Sequence, residues 1–191
     1  VKADDVECDY ILVSHAHGDH LGDAPSIAAR TGAKIVSTPE VISVCESQTL
    51  AEIASCPMNI GGSLNLPFGK VRMTFAQHSA GVAGGIACGF VVYIGGRTVY
   101  YAGDTALFSD MQLIGRKDSI DYAVLPIGDN YTMGLEDAAM AAQWVNAGHV
   151  IPVHYNTWPV IKQEARHYKD VTEAMTRARV HIMAPGDTME L

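Results

Sequence analysis

The chain contains 191 residues, 48% of them hydrophobic and 18% charged, with a formal net charge of −8 at pH 7. This composition excludes a disordered chain and fits a single compact domain spanning residues 1–191. The acidic balance argues against nucleic acid as a partner, because a nucleic-acid surface needs clustered Lys and Arg to displace counterions from phosphates.

Membrane insertion and a disulfide framework are also disfavoured. The longest apolar-rich stretch, from Ile86 to Ile94, is interrupted by Gly89, and it is far shorter than the roughly 20 residues of a membrane helix. The four cysteines are scattered without a Cys-x-x-Cys pair, which favours reduced thiols. We therefore expect no membrane partner and a cytoplasmic location.

Short β-like runs alternate with helical patterns along the chain, which predicts layered α/β packing. The apolar run Tyr10–Val13 predicts the first strand, and Gly95-Gly96 predicts a hairpin turn. The other predicted elements are a helix Pro25–Arg30, a strand Lys34–Ser37, a helix from Pro39 toward Leu50, strands Ser63–Phe68, Lys70–Ala76, Gly89–Ile94 and Thr98–Ala102, and then two helices, Leu135–Ala147 and Ile161–Ala178, with two further strands.

The first strand is followed by the sequence Ser-His-Ala-His-Gly-Asp-His-Leu, which concentrates the side chains that zinc, manganese and iron take as ligands. These ligand-type residues are His15, His17, Asp19 and His20. Alternate positions of extended chain share a face, so His15 and His17 can chelate one ion. Asp19 and His20 lie beyond a bend at Gly18, where they can face a second ion. A polar turn in which Asp19 or Asp23 caps the helix near Pro25 is the alternative, but capping needs no histidine.

This His-x-His-x-Asp-His string resembles the signature of the metallo-β-lactamase superfamily. The resemblance implies a later His completing the first metal site, a later Asp bridging the ions, and a final His completing the second site. His78, Asp104 and His154 occur in that order, each after an apolar run. Residues at strand ends on one edge of a fold can converge although they are far apart in sequence. His149, His167 and His181 are left out on the same criterion.

Three further segments, residues 103–105, 121–134 and 154–159, make the chain similar to small metal-dependent hydrolases related to the ascorbate-phosphate lactonases. The similarity implies an α/β fold, the four-layer αββα sandwich, with the metals at one edge between the sheets. It also implies two divalent ions, zinc first, with manganese or iron as alternatives. Asp104 stands where many true β-lactamases place a cysteine, so antibiotic hydrolysis is disfavoured.

The main functional hypothesis is a binuclear hydrolase in which a metal-bridging hydroxide attacks a small ester, lactone, thioester or phosphodiester. Asp104 would bridge the ions, and Asp19 would orient the hydroxide. The substrate would be a small molecule, and an anionic one is acceptable. The alternative is a metal-binding scaffold or regulatory protein of the same fold, which has no chemical need for all seven ligands.

Substrate contacts are harder to assign from one sequence. Four polar residues near the motifs are candidates: Asp129, Asn130, Thr132 and Asn156. Ordinary turn chemistry explains them equally well. Thr105 either supports a metal ligand or satisfies its own turn. Trp158 is interpreted as packing, Tyr131 is left undecided, and the Gly-rich stretch 81–89 is a candidate flexible loop beside the site.

The chain begins with Val1 and enters the motif-bearing strand almost at once. Members of the resembling superfamily place several strands before it, and a packed sheet needs neighbours at its edge. We therefore expect an N-terminal segment, or a second copy in a homo-oligomer, to cover that edge.

Overall fold

A computed structural model describes residues 2–190 and contains two sheets. The small sheet is fully parallel, with the order β1-β2-β3. Its strands are β1 (Tyr10–Leu12), β2 (Lys34–Ser37) and β3 (Ser55–Pro57). The large sheet has seven strands in the order β10-β9-β8-β7-β6-β5-β4. They are β4 (Ser63–Leu66), β5 (Gly69–Phe75), β6 (Cys88–Ile94), β7 (Arg97–Tyr101), β8 (Tyr122–Pro126), β9 (His149–Val153) and β10 (Arg179–Val180).

Six α-helices and two short 3₁₀ turns complete the described residues. The helices are α1 (Gly18–Leu21), α2 (Ala24–Thr31), α3 (Pro39–Ser47), α4 (Met111–Lys117), α5 (Leu135–Val145) and α6 (Ala165–Met175). The 3₁₀ turns span Ala3–Asp5 and Pro159–Ile161. Between residues 2 and 190, no helix has the length and apolar character needed to cross a membrane.

Three apolar layers separate the elements and give the αββα order. Alternating strand residues face opposite sides, so Ile35 packs toward α2 and α3 while Val36 packs between the sheets. In the large sheet, Phe90 likewise faces the inter-sheet layer, and Val91 faces the layer that contains α4, α5 and α6. The prediction of a four-layer α/β sandwich is confirmed.

Several element boundaries differ from the sequence prediction. The predicted strand Ser63–Phe68 ends at Leu66, since Pro67 has no N–H for a sheet ladder. The helix predicted from Ile161 begins only at Ala165, because Ile161 belongs to a 3₁₀ turn and Lys162 is extended. The prediction of two helices and two strands after Ala102 was wrong. Helix α4, which contains Gly115 and thus has low propensity, and the two-residue β10 were both missed.

One buried ion pair connects the large sheet to α4. Arg72 on β5 pairs with Asp118, the residue directly after α4, and both are less than a tenth exposed. The hydroxyl of Tyr93 on β6 donates a hydrogen bond to the other carboxylate oxygen of Asp118. The guanidinium and the carboxylate therefore compensate each other inside the protein.

Candidate metal centre

The ligand-bearing strands of the large sheet all run in one direction. Strands β5 and β7 are each antiparallel to β6, and β7, β8 and β9 are mutually parallel. The ends of β5, β7 and β9 therefore lie at the same edge of the sheet, and His78, Asp104 and His154 follow them. The end of β1 reaches this edge too, because the amide of Cys88 donates to the carbonyl of Ser14 at 3.0 Å.

The first motif folds partly as extended chain and partly as helix. His17 has extended backbone and precedes α1, so the bend predicted at Gly18 is a helical turn that carries Asp19 and His20. The amide of Ala16 donates to the carbonyl of Ala80 at 2.8 Å. This contact fixes the motif against the start of the Gly-rich stretch. A Cβ on Gly81, which has φ +70, would approach the backbone of His17 to 2.8 Å, so this position requires glycine.

Backbone hydrogen bonds connect the segments of His78 and Asp104. The buried hydroxyl of Thr105 accepts from the amide of Gln77 at 2.9 Å and donates to the carbonyl of Ala106 at 2.7 Å. The amide of Ala106 in turn donates to the carbonyl of Gln77 at 3.1 Å. Thr105 thus supports its own turn and, through Gln77, the residue next to His78.

His154 occupies a left-handed backbone conformation with φ +56, which costs a non-glycine residue free energy. The following loop is closed by Asn156, which also has a positive φ of 61. Its side chain donates to the carbonyl of Gln163 at 3.1 Å and accepts from the amide of Gln163 at 2.8 Å. The side chain of Gln163 reaches the carbonyl of Gly128 at 3.4 Å. The conformation of His154 is therefore held by a hydrogen-bonded loop.

Asp104 lies at the centre of the cluster. Its Oδ2 is 3.2 Å from Nε2 of His20, 3.3 Å from Nε2 of His154 and 3.7 Å from Nε2 of His78. The Oδ2 of Asp19 is 3.4 Å from Nε2 of His154 and 3.5 Å from Nε2 of His20. The carboxylates of Asp19 and Asp104 therefore both lie close to the imidazoles of His20 and His154.

His15 and His17 complete the cluster on its other side. Nε2 of His15 is 3.0 Å from Nδ1 of His17, and the ring of His78 lies 5.1 and 5.2 Å from their two rings. Three sets of ligand atoms lie within 4.8 Å of one another: His15, His17 and His78; His15, His20 and Asp104; and Asp19, His20 and His154. The structure thus brings together all seven residues that the sequence analysis singled out as metal ligands.

Burial and neighbouring charges together shift the pKa values of several groups in this cluster. It lowers the pKa of His15 to about 3, and the neighbouring His20 acts in the same direction. Burial also lowers the pKa of His78. For Asp104, burial alone would raise the pKa, but the imidazole of His20 outweighs it and the pKa falls. Burial alone would likewise lower the pKa of His20, but the carboxylates of Asp104 and Asp19 outweigh it and the pKa rises. His15 and His78 are therefore held neutral beside the ionised Asp104, and these are the forms that bind a cation.

The residues present fit divalent ions. Nε2 of His20 is buried, and although Asp104 is near, it has no hydrogen-bond partner among the described residues. An unsatisfied buried nitrogen costs free energy that coordination to a cation would offset. The donor set of five imidazoles and two carboxylates suits zinc, manganese or iron.

Five of the seven cluster residues line an open cleft of about 710 Å³. We call it the cleft, and it is lined by His17, Gly18, Asp19, His78, Ser79, Asp104, Tyr131, His154 and Trp158. Three of these residues were not predicted to line the site: Tyr131 was undecided, Trp158 was interpreted as packing, and Ser79, whose hydroxyl lies 3.3 Å from Nε2 of His17, was not predicted to have a role. The only sequence signal for Trp158 is an aromatic residue four positions after His154.

The other predicted site residues lie outside this lining. Asp129, Asn130 and Thr132 belong to the turn between β8 and α5, where the amide of Asp129 donates to the carbonyl of Met133 at 3.0 Å. The side chain of Asn156 is engaged by Gln163, as described above. Contact of these four residues with substrate stays a prediction.

Two histidines that the sequence analysis left out pair at the opposite end of the large sheet. Nδ1 of His149 is 2.8 Å from Nε2 of His181, and the His149 ring stacks on Tyr122 at 4.7 Å. Tyr122 and His149 are register partners at the starts of β8 and β9. His167 is exposed on α6. These three residues lie apart from the seven-residue cluster.

The αββα sandwich with a His/Asp cluster at its strand ends defines a metallo-hydrolase of the β-lactamase superfamily. A family model described as "Beta-lactamase superfamily domain" matches residues 2–155. A UPF0173 metal-dependent hydrolase of Natranaerobius thermophilus is 46% identical over the whole chain and 85% of the relative. One of Pelotomaculum thermopropionicum is 48% identical over the whole chain and 86% of the relative.

A solved structure agrees with these relatives. Igni18, a metallo hydrolase from the archaeon Ignicoccus hospitalis, is 36% identical, with a TM-score of 0.89 over 97% of this chain and 80% of that one. The chain belongs to the UPF0173 family of metal-dependent hydrolases within the β-lactamase superfamily.

Proposed function

We propose that this hydrolase is binuclear and cleaves a small ester, lactone, thioester or phosphodiester. The observation that carries the proposal is the position of Asp104, whose Oδ2 lies within 3.7 Å of three imidazole nitrogens from three different segments. One carboxylate shared among the ligands of two prospective sites is suited to bind a pair of close cations. The overlapping ligand sets around His15 and His20 support the same count of two ions.

The ligand assignment follows from these contacts. His15, His17 and His78 would hold one ion, Asp19, His20 and His154 the other, and Asp104 would bridge them. When bound, two cations would supply an activated water at neutral pH and polarise the carbonyl or phosphoryl oxygen of the substrate. We propose zinc as the native metal, with manganese or iron as alternatives, because imidazole and carboxylate donors suit all three.

The remaining chemistry belongs to the side chains of the chain. The carboxylate of Asp19 is 44% exposed and lines the cleft, so it can orient a water molecule and accept its proton. Asp104 is almost fully buried, so its charge acts on the ligands rather than on solvent. Ser79 lines the cleft beside His17 and can donate a hydrogen bond to bound substrate.

We also propose a cytoplasmic location, since the four cysteines form no disulfide and the disulfide framework of many secreted domains is absent from the described residues. The expected partner is a small-molecule substrate.

The experiment combines metal analysis with turnover. The protein is purified without added metal, its metal content is measured, and it is assayed against chromogenic phosphodiesters, lactones and thioesters. We expect close to two ions per chain, and we expect loss of activity in Asp104→Ala. The matched control is His167→Ala, which removes an exposed imidazole outside the cleft. Equal rates for Asp104→Ala and the parent would refute the mechanism.

The same experiment distinguishes the scaffold alternative. A scaffold would bind metal through the same residues but would turn over none of the substrates. Metal bound at parent levels without any turnover would therefore favour a binding or regulatory role.

A further inference from the structure

Two exposed aromatic side chains stand in the cleft beside the ligand cluster. Trp158 is 36% exposed, and its ring is nearly perpendicular to that of His154 with the centroids 5.8 Å apart. Tyr131 is 54% exposed and lines the same cleft. Large aromatic side chains left in contact with solvent beside a reaction centre are surfaces that an apolar ligand group can cover.

The local backbone conformation places the side chains of Tyr131 and Trp158 at the cleft. Asp129 and Asn130, directly before Tyr131, have positive φ values of 59 and 45, which turn the chain sharply. Trp158 directly precedes the 3₁₀ turn Pro159–Ile161 within the loop that Asn156 closes. Gln163 connects the two loops through the carbonyl of Gly128 at 3.4 Å. The two aromatic residues therefore belong to one hydrogen-bonded unit.

The charges of the side chains that line the cleft also bear on which substrates it can bind. Among the described residues that line it there is no Lys or Arg, and the charged lining residues are Asp19 and Asp104. The reacting group of a substrate would face the ligand cluster, but a second anionic group would find no cationic side chain. An additional carboxylate or phosphate would instead lie near Asp19, which is half-exposed at the cleft.

We propose that Tyr131 and Trp158 form a subsite for an apolar or aromatic group attached to the bond that is cleaved. The substrate class is then a neutral ester, lactone or thioester with an apolar acyl or ring substituent, rather than a substrate with a second negative charge. This inference rests on the proposed hydrolase function, because it places the reacting group at the ligand cluster.

The test measures binding of carboxylate products to zinc-loaded protein. The three probes, phenylacetate, acetate and succinate, share a carboxylate that can bind the metal. Phenylacetate adds an aromatic ring, succinate adds a second negative charge, and acetate adds neither. Calorimetric titration is expected to show phenylacetate binding at least about 10-fold more tightly than acetate, with succinate no tighter than acetate. Trp158→Ala and Tyr131→Ala should each reduce this preference severalfold, and Trp158→Phe should retain most of it.

Two further variants make the result specific. Val160→Ala removes an exposed apolar side chain two residues from Trp158 but outside the cleft lining, and it should keep the parent preference. Trp144→Phe leaves Trp158 as the only tryptophan of the chain. Phenylacetate should then change the fluorescence of this variant in a saturable way.

Turnover separates this inference from the proposed function. Acetyl, phenylacetyl and succinyl thioesters of one small thiol are compared by kcat/KM in the parent. Hydrolysis without preference for the phenylacetyl group, together with equal binding of phenylacetate and acetate, would overturn the aromatic subsite and leave the hydrolase intact. Tighter phenylacetate binding that depends on Trp158, without turnover of these thioesters or of the chromogenic phosphodiesters and lactones above, would support the subsite and count against the hydrolytic proposal.

Discussion

Replacing Asp104 by Asn tests the metal centre most directly, because the shape of the side chain is kept while its negative charge and one acceptor oxygen are lost. In the parent, Oδ2 of Asp104 lies 3.2 to 3.7 Å from three imidazoles. A site saturated at about 1,000 times its Kd adds about 4 kcal/mol to the free energy of unfolding, which raises the Tm of a chain of this size by about 8–16 °C. We expect the Asn variant to lose at least half of that metal-induced shift and its kcat/KM to fall at least ~100-fold.

The assay is differential scanning calorimetry with and without saturating zinc, beside metal analysis and kinetics. The metal-free Tm of the variant should differ from that of the parent by less than the metal-induced shift, because the fold outside the cluster is unchanged. The control is Asp170→Asn, which neutralises an exposed carboxylate on α6. If zinc raises the Tm of Asp104→Asn as much as that of the parent, Asp104 is not a metal ligand and the reasoning fails.

Three further predictions concern the supporting structure. Asn156→Ala loses two hydrogen bonds and forces alanine into a left-handed backbone conformation. The free energy of unfolding should therefore fall by about 2–4 kcal/mol, more than in Asn156→Gly. Equal losses for the two variants in urea titrations would contradict the backbone argument. Asp118→Ala leaves the guanidinium of Arg72 buried without a counter-charge, and urea denaturation should show that the free energy of unfolding falls by about 3–5 kcal/mol. A change near zero would show that solvent reaches the pair. Burial, with His149 nearby, lowers the pKa of His181 below its value in the unfolded chain. The unfolded chain therefore binds more protons at this group, and the free energy of unfolding falls as the pH drops from about 7 to about 5. Thermal melting should show a smaller drop in His149→Phe than in the parent, and an equal drop would refute the assignment.

The convergence of the predicted ligand residues could be predicted from the sequence because these residues follow apolar runs. His78, Asp104 and His154 each come shortly after a strand, and parallel strand direction brings such positions to one edge. The resemblance to the metallo-β-lactamase signature selected these three residues, and their positions after apolar runs supported the selection independently. The fold class was equally accessible, because alternating strands and helices favour layered packing.

The cleft walls were not predictable, because they depend on backbone conformations that no local pattern specifies. The helix expected from Ile161 would continue the 3₁₀ turn that follows Trp158, but the chain stays extended at Lys162 and starts α6 only at Ala165. That break allows Gln163 to meet Asn156 and leaves Trp158 in the cleft. The left-handed conformation of His154 was unpredictable for the same reason, since it is held by tertiary contacts rather than by the residue's own conformational preference.

The position of the cluster couples chemistry to packing. The first motif follows β1 of the small sheet, whereas His78, Asp104 and His154 follow strands of the large sheet. Each of the three candidate ligand sets contains residues from both origins. An ion bound by any of them would therefore join the two sheets directly at the edge where the apolar layer between them ends. Since a cation that binds only the folded chain stabilises it, the same contacts that would activate water would also stabilise the packing of the two sheets against each other.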